Sequence, residues 1–272
     1  MQELIDRALA EDLGAGDLTT AALVPDGATA RARIEQKASG VIAGLQVAES
    51  VFRRVDPRLR WYGHAPEGDW RDGGLVAEVA GATASILRGE RVALNFLGRL
   101  SGIATLTARY VRAVEGTGAR ILDTRKTTPG LRALEKQAVV AGGGVNHRFG
   151  LFDAMLVKEN HIAAAGGVAA ATAQALTAAG KGVEVTIECS TLAQVEEALG
   201  AGAERILLDN MSPDEMREVV ELASALATFE ASGSVTLGSV RAVAETGVDF
   251  ISVGALTHSA PALDLSLTLD PL

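Results

Sequence analysis

Cysteine is nearly absent from this sequence, with Cys189 the only one in 272 residues. A lone thiol excludes an internal disulfide, which fits a reducing compartment. Within VTIEC it reads as a small apolar strand residue, because free cysteine behaves as a buried hydrophobe. Long apolar runs are missing too. No stretch approaches the roughly 18 residues of a membrane span, and no basic segment leads into an apolar one at the start. Neither spanning nor export is expected, and the cytoplasm is the expected location. Positive charge is also scarce: 25 Lys and Arg face 34 Asp and Glu, a net charge of −9. That balance excludes a general nucleic-acid coat.

Lysine is wholly missing between Lys37 and Lys126. The segment GDWRDGGLVAEVAG (68–81) has the pattern of a swinging-arm carrier hairpin. A carrier needs a modifiable lysine at its tip, so that function is set aside.

What is present is a chain 48% hydrophobic, enough for one large domain or one and a half. QELIDRALAE (2–11) puts Leu4, Ile5, Ala8 and Leu9 on one face of a short helix that ends in LGAGDLTT. ATARARIEQ (28–36) alternates like a half-buried strand, and GLQVAESVFRRVD (44–56) reads as a helix. RLRWYGH, GDWRDGGLVAEVAG and ATASILRG read as three short antiparallel pieces. From Gly89 to Glu115 one long helix is apolar around most of its circumference, as in helices buried between layers, domains or subunits. Arg91 falls in the first turn of that expected helix, either as a salt-bridged surface residue or as a cation held for an anion.

Beyond Gly118 strands and helices alternate. Candidate strands are 119–124, 154–158, 183–188, 205–209, 227–232 and 249–254, which predicts a parallel sheet, wound as a barrel or doubly wound. Their ends carry Arg125 with Lys126, Lys158, Glu188, Asp209, Ser232 with Gly233, and Gly254. Ionisable groups at strand carboxyl ends are where a β/α barrel places its active site. In VEVTIE a period of two puts Glu184, Thr186 and Glu188 on one face, facing a polar interior. The tail, with Leu263, Leu265, Leu267 and Leu269 at alternate positions, reads as an edge strand.

Charge is uneven: residues 120–160 hold seven Arg or Lys against four Asp or Glu. Arg125, Lys126, His147, Arg148 and Lys158 match a ligand with several negative charges, since arginine forks suit carboxylate and phosphate. Gly142, Gly143 and Gly144 form a turn whose amides could face an anion, or a flexible loop. Glu188 and Asp209 suit a hard metal such as Mg²⁺, or hydroxyls, or act as partners of the arginines. The turns ASGS (231–234) and VGA (253–255) can offer amides to a phosphate. The sum points to a phosphosugar beside a polycarboxylate.

The segments ERVALNFLGRLSGIAT, DTRKTTPGLR, EKQAVVAGGGVNHRFGL, KENHI, LLDN, EASGSVTL and ISVGALTHSAPALDLSL resemble the quinolinate phosphoribosyltransferase family over nearly the whole chain. DTRKTTPG followed by GGG-x-NHR and KENH is a specific combination. The resemblance implies an α/β chain: an N-terminal α+β sandwich domain (1–115, completed by the tail 258–272) and an incomplete β/α barrel (116–257), the type II phosphoribosyltransferase fold. It implies transfer from phosphoribosyl pyrophosphate (PRPP) to quinolinate, giving nicotinate mononucleotide, pyrophosphate and carbon dioxide in NAD synthesis. It also implies a homodimer with shared sites and no membrane or nucleic-acid partner.

By the same resemblance Arg125, His147, Arg148 and Lys158 would hold the quinolinate carboxylates, with Arg91 from the partner subunit. Thr124 belongs to the same substrate site. Lys126 would face the pyrophosphate, and Glu188 and Asp209 the ribose hydroxyls and Mg²⁺. Ser232, Gly233, Ser234, Gly254 and Ala255 would cradle the 5′-phosphate. Lys126, Lys158, Glu188 and Asp209 form the expected catalytic set. Four positions depart from the family pattern: Gly98 for a glutamine, Val140 and Val145 where basic residues are frequent, and Ser234 for a second glycine. Other readings are a same-fold paralogue (molybdenum-transport-associated or a nicotinate phosphoribosyltransferase), a Schiff-base aldolase on Lys158, and a non-catalytic anion binder.

Overall fold

A computed structural model describes residues 1–272. In chain order the elements are α1 (Gln2–Leu13), α2 (Leu18–Leu23), β1 (Thr29–Gln36), β2 (Gly40–Val41), α3 (Leu45–Val55), β3 (Arg60–Gly63), β4 (Trp70–Arg71), β5 (Gly74–Ala82) and α4 (Thr83–Ala113). There follow β6 (Arg120–Leu122), α5 (Arg132–Ala141), β7 (Met155–Val157), α6 (Glu159–Ala165), α7 (Val168–Ala178), β8 (Val185–Cys189), α8 (Leu192–Gly200) and β9 (Arg205–Asp209). The chain ends with α9 (Pro213–Ala223), β10 (Thr228–Ser232), α10 (Val240–Ala244), β11 (Phe250–Ser252), α11 (Ala255–His258) and β12 (Leu265–Pro271).

These elements group into two compact units. One comprises Met1–Ala108, Thr128–Gly143 and Ser259–Leu272; the other comprises Arg109–Thr127 and Gly144–His258. The grouping departs from a division at 115/116 in two places. Helix α4 passes from one unit to the other at Ala108, and α5 belongs with the first unit.

The first unit is built on an antiparallel sheet in the order β12-β1-β5-β3. Strand β1 buries Ala30, Ala32, Ile34 and Gln36 and turns Arg31 and Arg33 outward, the alternation that a one-faced sheet requires. The tail strand β12 forms the edge beside β1, with Leu267 opposite Ile34. ATASILRG, read from sequence as a strand, is instead the start of α4. Ile86, Ala93, Leu97, Leu100 and Ala104 form one buried stripe at helical spacing, so the helix starts at Thr83, two turns early. Arg91 consequently lies in the third turn, away from the helix start. Buried Glu135, at the start of α5, accepts from Arg99 Nη2 (2.8 Å) and from the Thr128 hydroxyl (2.7 Å) and amide (3.0 Å). Arg99 Nη1 also donates to the Ala260 carbonyl (3.0 Å), so one satisfied charge pair ties α4, α5 and the tail together.

The second unit contains a wholly parallel sheet in the order β6-β11-β10-β9-β8-β7. Every neighbour is consecutive in sequence except β11 and β6, which close the cycle, while β6 and β7 do not pair. That is a β/α barrel with one seam open, and it resolves the choice between barrel and doubly wound sheet. Ile187, Ile206, Leu208, Phe229, Ala231 and Ile251 are buried core residues on these strands. Glu188, Leu207, Glu230 and Ser252 line an internal cavity instead.

Candidate active site

Each parallel strand delivers a polar group at its carboxyl end, and local hydrogen bonds hold it there. After β6, the Thr124 hydroxyl accepts the Lys126 amide (3.0 Å) and the Thr257 hydroxyl donates to the Lys126 carbonyl (2.7 Å). After β7, His161 Nδ1 accepts the Lys158 amide (2.9 Å), and Lys158 Nζ lies 2.8 Å from Glu188 at the end of β8. At the end of β9 the Asn210 amide donates to the Asp209 carboxylate (2.9 Å), and Asn210 N–H bonds the Ser232 carbonyl (2.9 Å). Asn210 and Ser234 are the two non-glycine residues with positive φ, at 55° and 46°. Gly233, at φ 103°, packs so closely on Asn210 that any side chain would strike the Asn210 amide.

Two cavities open over these ends. One, of about 360 Å³, is flanked by Arg125, His147, Arg148, Leu156 and Leu207. The other, of about 650 Å³, is flanked by Gly233, Ser234, Thr236, Gly254, Ala255 and His258. Thr124, Lys126, Lys158, Glu188, Asp209 and Ser232 line both. The arrangement therefore has a cationic, part-apolar lobe and a lobe of small and hydroxyl residues, joined along a shared wall of two lysines and two carboxylates.

The open seam of the barrel explains the cationic lobe. Residues 144–148 run along the free edge of β6: Val145 N–H donates to the Ile121 carbonyl (2.8 Å) and Asp123 N–H to the Val145 carbonyl (3.1 Å). This short bridge aims His147 and Arg148 into the barrel. Buried Asp123 accepts the His147 amide (2.8 Å), while buried Glu230 stands 3.3 Å from His147 Nε2 and 2.9 Å from Arg205 Nη2. Burial raises the Glu230 carboxyl, but the bond from His147 and then the bond and charge of Arg205 outweigh it and leave it below its ordinary value. Burial, and then the Arg125 charge, hold the Arg148 guanidinium below its ordinary value. Two guanidiniums held together in this way favour an anion that relieves their repulsion.

Comparison with known proteins agrees with this geometry. Residues 17–101 match the N-terminal domain model of quinolinate phosphoribosyl transferase, and residues 103–268 match its C-terminal domain model. The chain belongs to the quinolinate phosphoribosyltransferase family. Among curated relatives, a probable carboxylating nicotinate-nucleotide pyrophosphorylase of Bacillus subtilis is 44% identical over 98% of this chain and 92% of its own length. A protein of the same name from Synechocystis is 46% identical over 96% of this chain and 90% of its own. The crystal structure of NadC from Streptococcus pyogenes superposes with a TM-score of 0.95 at 41% identity, covering 100% of this chain and 96% of that one.

Of the residues expected from sequence to form the site of a quinolinate phosphoribosyltransferase, all but Arg91 line one or both cavities. Arg91 lies exposed on α4 in the first unit. The glycine triplet also differs from expectation. Gly142 and Gly143 donate to the Ala138 (3.0 Å) and Val140 (2.9 Å) carbonyls as the C-terminal cap of α5, so their amides are spent within the chain. Of the four departures from the family pattern, only Ser234 touches a cavity. Val140 is exposed on α5, Val145 belongs to the β6-edge bridge, and Gly98 lies under the tail, its carbonyl accepting the Leu263 amide (2.9 Å). Cys189 is buried, its thiol pushed up to about 12 by burial and nearby Glu188 and Glu197, as suits a packing residue.

Glu230, Asn210 and His258 were missed from sequence. For Glu230 a signal existed: the period of two that turns Glu188 inward on β8 places Thr228, Glu230 and Ser232 on one face of β10. Asn210 gave none, lying one step past β9, and neither did His258, the last residue of the four-residue α11.

Proposed function

We propose that this chain transfers the phosphoribosyl group of PRPP to quinolinate with loss of one carboxylate, yielding nicotinate mononucleotide, pyrophosphate and carbon dioxide in NAD synthesis. The observation that carries this reading is the pair of lobes sharing one wall: a dianion and a phosphosugar can meet over Lys126, Lys158, Glu188 and Asp209.

In this reading Arg125 and Arg148 clamp the quinolinate carboxylates, with Leu156 and Leu207 beside the ring. Ser232, Gly233, Ser234, Gly254 and Ala255 hold the 5′-phosphate through small groups and backbone. Lys126 runs across Gly254 toward His258, where a Cβ on Gly254 would stand 3.1 Å from the Lys126 side chain, and it meets the pyrophosphate. Lys158 and Glu188 hold each other oriented over the ribose, with Asp209 opposite. As pyrophosphate leaves, positive charge develops on the ribosyl centre, and the carboxylates of Glu188 and Asp209 stabilise it while the clamp presents the pyridine nitrogen. The positive ring nitrogen so formed stabilises the electron pair left on the ring carbon when the adjacent carboxylate departs as carbon dioxide, and a proton from solvent then takes the carboxylate's place.

No group of three or more His, Cys, Asp or Glu side chains makes a complete metal cage. The two carboxylates of Glu188 and Asp209 nonetheless suit Mg²⁺, which commonly takes one or two carboxylates and completes its shell from substrate phosphate and water. Such an ion, when bound, neutralises charge on the departing pyrophosphate.

Arg91, exposed on α4 and outside both cavities of its own chain, is the residue we assign to a partner's site in a homodimer acting in the cytoplasm. No helix of the chain is long and apolar enough to cross a membrane. Lys158 pairs with a carboxylate rather than lying in apolar surroundings or beside a second cation as its nearest partner, which disfavours a Schiff-base aldolase.

The test is release of labelled carbon dioxide from carboxyl-labelled quinolinate, requiring PRPP and Mg²⁺, with nicotinate as the acceptor in a parallel tube. Release without PRPP, or turnover of nicotinate alone, would overturn the reading. Mixing Arg91→Ala and Lys158→Ala subunits should restore part of the activity that each lacks; verified heterodimers without activity would overturn site sharing.

A further inference from the structure

The ring of His147 is occupied on both sides by protein. Its Nδ1 accepts the backbone N–H of Arg148 at 2.7 Å, and a nitrogen that accepts a hydrogen bond carries no proton. The single ring proton then sits on Nε2, which faces Glu230 Oε1 at 3.3 Å. That carboxylate oxygen is buried and makes no hydrogen bond elsewhere. Behind it, Arg205 bridges Glu230 (2.9 Å) and Glu184 (2.8 Å) and stacks its guanidinium 4.5 Å from the Phe250 ring centroid. On the other side the His147 amide is held by Asp123.

We propose that His147 is a neutral positioning residue that fixes the backbone of Arg148, and that the buried Glu230–Arg205 pair holds its tautomer. His147 thus contributes no charge to carboxylate binding and supplies no proton to the reacting ring. The inference rests on quinolinate as the ligand of the cationic lobe. The charged groups around His147 are Asp123, which holds its amide, Glu230 from β10, which faces its ring, Arg205 from β9, which pairs with Glu230, and Arg125 and Arg148, which line the same cavity. Such a bracket has a use. Arg148 Nη1 is already tied to the Ala154 carbonyl (3.0 Å), so pinning the Arg148 amide fixes the guanidinium at both ends.

Two measurements test this. The first is nitrogen NMR of ¹⁵N-histidine-labelled protein, with His147→Asn used to assign the signal, recorded from about pH 6 to 8 with and without quinolinate. A single neutral Nε2–H tautomer throughout is the expected result; an imidazolium signal, with or without ligand, would overturn the proposal. The second is direct quinolinate binding by calorimetry. In His147→Asn the side-chain oxygen reaches the place of Nδ1 and can accept the Arg148 amide, so this variant should retain most of the affinity that His147→Gln loses. The loss in His147→Gln should be about tenfold, that of one hydrogen bond.

A charged His147 predicts otherwise: equal losses in both variants, and affinity falling up to about tenfold per pH unit above the histidine titration. If quinolinate does not bind but the Nε2–H tautomer is seen, the functional reading fails while the tautomer assignment stands. If the Asn variant does not fold, assignment through a different histidine-to-glutamine series still leaves the NMR result decisive.

Discussion

In the proposed function the two lobes of the site recognise negative charge by opposite means. The cationic lobe uses long side chains, Arg125 and Arg148, supported by carboxylates buried behind them: Asp123 holds the His147 amide and Glu230 faces its ring. The glycine lobe has its turns at 232–236 and 254–255, where Gly233 and Ser234 adopt left-handed backbone against Asn210. Long side chains need counter-charges to be held in one place, whereas backbone groups need only a turn that tight packing fixes. The first lobe is therefore sensitive to charge and pH, and the second to side-chain volume.

This contrast can be broken from either side. Glu230→Ala should have the largest effect, leaving Arg205 facing an empty buried site and lowering stability by about 3–5 kcal/mol in denaturant unfolding. Glu230 also predicts an acid signature. Its folded-state value is depressed below the ordinary 4.5, so its stabilisation is complete above that pH and is lost as pH falls through the depressed value. Thermal melts of the wild type should decline more steeply below about pH 4.5 than those of Glu230→Gln, and parallel slopes would remove Glu230 from the account.

Next in size is Gly233→Val. It places a branched side chain at φ 103° and against Asn210, for about 2–4 kcal/mol of strain and crowding. Calorimetry should show PRPP affinity collapsing while quinolinate affinity in the absence of PRPP survives. Arg148→Ala should do the reverse, costing about 1.5–3 kcal/mol in quinolinate binding with PRPP binding intact. Equal loss of both ligands in either variant would show that the lobes are not separable. The smallest effect belongs to Ser234→Gly, which relieves a left-handed non-glycine residue. It should tighten PRPP binding or raise stability by about 1 kcal/mol without touching quinolinate.

Much of this was legible in the chain itself. Alternation in β1 and the strand-helix rhythm after Gly118 follow from local periodicity, and strand-end positions of Lys158, Glu188 and Asp209 follow from counting along a pleat. ATASILRG was misread because eight residues with few apolar positions fit either period. Only the buried stripe continuing through Leu97 and Ala104 makes it helical. The glycine triplet stayed open between an anion-facing turn and a loop because a run of glycines does not reveal whether its amides are already used, and here those of Gly142 and Gly143 cap α5.

The sequence by itself determined which elements form and which ionisable groups stand at the carboxyl ends of the parallel strands, because period and turn chemistry are properties of neighbours along the chain. Tertiary structure alone decided the rest. It decided that the barrel stays open between β6 and β7, that the 144–148 segment lies along the free edge, and that Glu230 meets His147 across 83 positions. Those contacts depend on the winding of the whole sheet, and no local pattern encodes which buried carboxylate will face which ring.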